Sequence, residues 1–94
     1  MADATTHDFA TFGALLKYLR RRAHLTQQEL GVAVGYSEAY ITRLEGDTRL
    51  PNVSMVQSVF VDALHLEREP ELARRLLALA ETARERGGDN TTAR

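Results

Sequence analysis

The chain has 94 residues, a formal net charge of −1 and 44% hydrophobic side chains, which describes one small domain with a modest core and no room for a large buried cofactor. It contains no cysteine, so disulfide scaffolds, thiolate zinc sites and thiol catalysis are excluded, and His7, His24 and His65 are too scattered for a metal-ligand set. The N-terminus MADATTHDF lacks the regions of a signal peptide, and no stretch approaches the roughly 18 apolar residues that cross a bilayer; a soluble cytoplasmic protein without metal or cofactor is expected.

Residues 1–10 read as a flexible N-terminus, 11–85 as the folded domain and 86–94 as a polar, disordered tail. The domain is predicted to be all-α, with five helices and no strand. Phe12, Leu15, Leu16 and Leu19 recur at helical spacing, so a first helix over about residues 11–23 lays one apolar stripe on the core. Thr26 with Glu29 three residues on is a capping box, and it starts a second helix that Gly35 ends by supplying a left-handed cap. Ser37 then caps a third helix, in which Tyr40, Ile41 and Leu44 share one face. Pro51 and Asn52 mark the start of a fourth helix, with Val53, Val56, Val59, Phe60, Ala63 and Leu64 on its apolar side despite the low helix propensity of the β-branched run. Pro70 opens a fifth, which runs through Leu72, Leu76, Leu77, Leu79 and Ala80 to about Arg84.

Two short helices folded across a tight turn at residues 26–45 are the most informative feature, because that arrangement can offer its second helix to the major groove of DNA. The outward face of this helix carries Glu38, Ala39, Thr42 and Arg43. Arg43 can form a bidentate contact with guanine, Ala39 can pack on a thymine methyl, Thr42 can do either kind of work, and Glu38 can accept from cytosine. Ser37, Arg49 and Asn52 are candidate phosphate contacts around the turn and the following loop. The net charge argues against nucleic acid, but Lys17, Arg20, Arg21 and Arg22 cluster late in the first helix, whereas Glu67, Glu69, Glu71, Glu81 and Glu85 lie in the C-terminal third.

These residues resemble the XRE or Cro-type helix-turn-helix regulators, relatives of phage repressor DNA-binding domains, over about residues 12–66. The resemblance is carried by Phe12, Leu15 and Leu16, Arg20, the run Leu25-Thr26-Gln27, Leu30, Gly35, Ser37, Ile41, the pair Leu44-Glu45, and Arg49-x-Pro51. It implies a buried ion pair between Arg20 and Glu45, and a phosphate contact from Gln27 with the amides at the start of the second helix. A lone carboxylate at Glu45, on the side of Ile41 and Leu44, would cost several kcal/mol, which independently asks for a partner. The chain departs from the family pattern in several places. Gly46-Asp47 leaves the left-handed cap to one residue or the other, Gly31 stands where alanine is common, and His24 and His65 replace glycines at helix ends. Val32 and Ala33 occupy positions that are usually charged.

No nucleophile, base or phosphate loop is arranged for catalysis, so an enzyme is not expected. The resulting expectation is a regulator that binds double-stranded DNA sequence-specifically as a homodimer on a pseudo-palindromic site, with Leu72, Leu76 and Leu79 of the fifth helix as the dimer interface. Three alternatives fit the same residues: an interaction module that keeps the fold without its DNA surface, an antitoxin-like chain with a protein partner, and the DNA-binding part of a larger regulator.

Overall fold

The computed structural model describes residues 9–92, with side chains to residue 86. Among these residues the fold is all-helical: α1 (Phe12–Arg22), α2 (Gln27–Val34), α3 (Glu38–Glu45), α4 over residues 53–63, and α5 (Pro70–Thr92). The predicted caps form as the sequence asks. Thr11 Oγ1 accepts from the amide of Ala14, Ser37 Oγ from Tyr40, and Asn52 Oδ1 from Met55, while Thr26 and Glu29 complete the capping box in both directions. The core is one cluster built from every helix, with Phe12, Leu15, Leu16, Leu19, Leu30, Ile41, Leu44, Val56, Phe60, Leu64, Leu66 and Leu76 almost wholly buried.

Four consecutive helix ends close in the same way. His24, Gly35, Asp47 and His65 take left-handed φ values of 63°, 85°, 60° and 61°, and the next amide reaches five residues back: Leu25 to Arg20, Tyr36 to Gly31, Thr48 to Arg43, and Leu66 to Val61. Only one of these positions is glycine. The left-handed cap after α3 therefore belongs to Asp47 rather than Gly46, whose φ is −89°. Asp47 gains something glycine could not supply, because its Oδ1 accepts the amide of Gly13 at 2.9 Å and places a carboxylate at the start of α1. Gly13 itself is required by proximity: a Cβ there would lie 2.5 Å from the carbonyl oxygens of Leu44 and Glu45.

The middle of α4 widens into a π-helical turn, Val56–Phe60, between short α-helical pieces Val53–Met55 and Val61–Ala63. Val56 and Phe60 are buried on this turn, and Ser58 Oγ donates back to the carbonyl of Ser54 at 2.8 Å.

Two boundary expectations need correction. Phe9 is not part of a loose arm: its ring stacks at 5.0 Å on Tyr18, and its carbonyl accepts from Arg75 Nη2 at 3.0 Å, so the domain begins before residue 11. Residues 1–8 of the expected flexible N-terminus lie outside the described residues. At the other end, α5 is described as far as Thr92, past the expected boundary at residue 86. No proline follows Pro70, and glycine lowers helix propensity by only about 1 kcal/mol without forbidding the conformation. Ala93 and Arg94 lie outside the described residues.

Candidate nucleic-acid interface

Three neighbouring elements aim α3. The turn from α2 folds tightly back because Gly31 lets the chain approach: a Cβ there would sit 2.6 Å from the carbonyl of Tyr36. The cost of glycine inside a helix thus allows the turn to close onto α2. The C-terminal end of α3 abuts the start of α1 through Gly13 and Asp47. Ile41 and Leu44 are buried, which turns Glu38, Ala39, Thr42 and Arg43 outward, all exposed and adjacent on one face.

The polar anchor of this face is the pair that resemblance implied. Arg20 Nε donates to Glu45 Oε2 at 2.5 Å and Nη2 to Oε1 at 3.2 Å, while Nη1 donates to the carbonyl of Leu25 at 2.7 Å. The side chains are only 11% and 4% exposed, so the fork is a shielded, bidentate contact that ties α1 to α3 and to the turn before α2. Gln27 joins the same cluster. Its Nε2 donates to Glu45 Oε1 at 3.0 Å, and its Oε1 accepts from Thr42 Oγ1 at 2.9 Å. Thr42 Oγ1 also lies 3.1 Å from the carbonyl of Glu38. Gln27 is therefore held inward at both ends of its amide, with one N–H left over for a phosphate.

The other candidates surround this anchor. Ser37 and Asn52 both cap helices through their side-chain oxygens, which leaves the Ser37 hydroxyl proton and the Asn52 amide hydrogens to donate. Arg49 lies over the ring of Tyr40, 5.1 Å from its centroid, a cation–π contact that keeps the guanidinium beside α3. The Tyr40 ring lies tilted against Tyr36 with centroids 4.0 Å apart, and Tyr36 meets the core ring of Phe60 at 6.3 Å. Burial, reinforced by Tyr40 and opposed by Arg49, pushes the Tyr36 phenol above its usual range. Arg21 and His24 also flank the start of α2, lining an open groove with Thr26, Gln27 and Glu38. Helical spacing places Tyr40 on one face with Ile41 and Leu44 and says nothing of Arg49. Only the 3-D approach of the loop, nine residues on, reveals it as a shelf for Arg49.

The residues expected at a fifth-helix interface pack on their own core instead. Leu76 is 0% and Leu79 7% exposed, and Leu72 packs against the same cluster, because α5 covers α1 and α4 with its apolar stripe. The burial of Leu76 and Leu79 is thus satisfied within the domain. Among the described residues, no helix is long and apolar enough to cross a membrane and no group of acidic or histidine side chains gathers as a metal site.

No curated protein and no solved structure matches the chain. The family described as "Helix-turn-helix domain" matches residues 11–86, which takes in all of α1 to α4 and most of α5, with the paired helices and turn at its centre. The chain belongs to the helix-turn-helix domain family.

Proposed function

We propose that this protein is a non-enzymatic, cytoplasmic transcription regulator of the XRE or Cro type that reads double-stranded DNA through α3. The observation that carries the reading is the solvent-facing group Ala39, Thr42 and Arg43, presented from a helix whose opposite side is fixed by burial and by the Arg20–Glu45 fork. Arg43 forms no ion pair among the described residues, so its guanidinium is free for the O6 and N7 of guanine. Gln27, Ser37, Arg49 and Asn52 set register on the phosphates, and Glu38 restricts the neighbouring base to one with an amino donor.

One α3 spans few base pairs, so two copies occupy half-sites about 34 to 36 Å apart, meeting through a surface other than the buried Leu76 and Leu79. A second reading, recognition of a protein partner, draws on Val32, which is 78% exposed on α2. Titration of random-sequence duplex at two salt concentrations separates them. DNA binding predicts affinity that falls steeply as salt rises, with two chains per specific site; absence of duplex binding at low salt would leave the protein-partner reading.

A further inference from the structure

We propose that Gln27 acts as a positioning residue that makes Thr42 a hydrogen-bond acceptor toward DNA, so that this position of α3 selects an adenine or cytosine edge and rejects guanine. The inference rests on the DNA-binding reading and adds to it the polarity of one contact.

The argument follows protons along the chain of contacts. Glu45, held by the Arg20 fork, is a carboxylate and can only accept. The Gln27 amide therefore has to present its NH2 to Glu45, which fixes the orientation of the whole group: Nε2 inward at 3.0 Å, Oε1 toward Thr42. An amide oxygen can only accept, so at 2.9 Å the Thr42 hydroxyl must donate to it. The single other partner within reach, the Glu38 carbonyl at 3.1 Å, is also an acceptor. That carbonyl already serves the α3 backbone, so Gln27 is the stronger claim on the proton. While Gln27 holds it, the hydroxyl proton points into the protein and the lone pairs of Oγ1 are left for an outside donor.

An outward acceptor distinguishes bases in the major groove. Adenine N6 and cytosine N4 carry hydrogens to give, while guanine offers only the acceptors N7 and O6, which would face the Thr42 lone pairs without a proton between them. A hydroxyl free to rotate would serve either kind of edge. Fixing it from behind converts a permissive side chain into a selective one.

The test is a competition panel in which each base pair of a selected site is varied in turn, measured for the wild-type chain, Thr42→Val and Gln27→Met. Valine keeps the shape and the methyl but has no acceptor; methionine keeps the volume of Gln27 and removes both of its hydrogen bonds. The wild-type chain is expected to penalise guanine about tenfold at one position. Thr42→Val should erase that penalty, and Gln27→Met should reduce it to about threefold or less, with the preference at the Arg43 position retained in both. Retention of that preference shows that each variant is folded and bound. A guanine penalty untouched by Gln27→Met would show that the Glu38 carbonyl suffices and would overturn the role of Gln27. A wild-type chain with base preference but no guanine penalty at any position removed by Thr42→Val would overturn the assignment of Thr42. A wild-type chain with no base preference would remove the DNA-binding reading itself.

Discussion

The two halves of the domain are held by different physics. From α1 to α3, directional polar contacts set the geometry: the Arg20–Glu45 fork, the Gln27 bridge, Asp47 on the Gly13 amide, and two glycines at positions where a Cβ would meet a carbonyl oxygen at 2.6 Å or less. From α4 to α5 the work is done by apolar burial of Val56, Phe60, Leu64, Leu66, Leu76 and Leu79, and the π turn keeps Val56 and Phe60 within that packing. Non-directional burial tolerates variation in angle, whereas a hydrogen-bonded fork does not. The half that carries α3, the helix proposed to read DNA, is the half built from directional contacts.

The largest effect that would break this contrast is loss of the fork. Arg20→Ala leaves the Glu45 carboxylate shielded and unpaired, and chemical denaturation should show a loss of about 3 to 5 kcal/mol. Replacing both residues by well-packed apolar side chains should recover much of that stability yet still weaken DNA binding, since Gln27 would lose its partner. A stable single variant would mean that the pair is solvated in solution. In the other half, Leu76→Ala should cost about 2 to 5 kcal/mol as a cavity forms. The mass of the folded protein should not change, because Leu76 faces its own core. A dimer that dissociates with Leu76→Ala while remaining folded would restore the fifth-helix interface.

Gly13→Ala should be costly out of proportion to one methyl group. The added carbon would press on two backbone oxygens, and overpacking of this kind costs about 1 to 3 kcal/mol, readable as a lower Tm. The smallest effects sharpen the comparison at the helix ends. His24→Gly and His65→Gly remove a left-handed strain of about 1 to 2 kcal/mol, offset in part by the added freedom of the unfolded chain, and a net gain of about 0.5 to 1 kcal/mol is expected. Asp47→Gly relieves the same strain but forfeits the bond to Gly13, so it should gain nothing. Equal gains at all three sites would deny Asp47 its structural role.

Much of this fold is legible in the sequence because its signals are local. The capping box at Thr26 and Glu29, the Gly35 cap and the apolar stripes of α1 and α4 each lie within a few residues, where spacing decides the outcome. What escaped is non-local. A leucine stripe announces that α5 buries one face but not against what, so Leu76 and Leu79 could be read as an interface when they are core. Gln27 meets Thr42 fifteen residues on and Glu45 eighteen residues on, contacts that no periodicity encodes, and so it read as a free phosphate hook. Choosing between Gly46 and Asp47 required knowing that the Gly13 amide waits opposite. Of the proposed site, the outward residues of α3 follow from helix geometry alone, while the shelf that Tyr40 makes for Arg49 depends on the path of the loop.

Arg43 gives the most direct test of the central claim, that the exposed face of α3 reads base edges. Base preference should be measured by selection from a randomised duplex, for the wild-type chain and for Arg43→Ala at one fixed salt concentration. The account predicts that a guanine preference at one position of each half-site relaxes, with a loss of about 1 to 3 kcal/mol against the preferred site, while other positions and the fold are retained. An Arg43→Ala protein that selects the same sequence with the same affinity would contradict it.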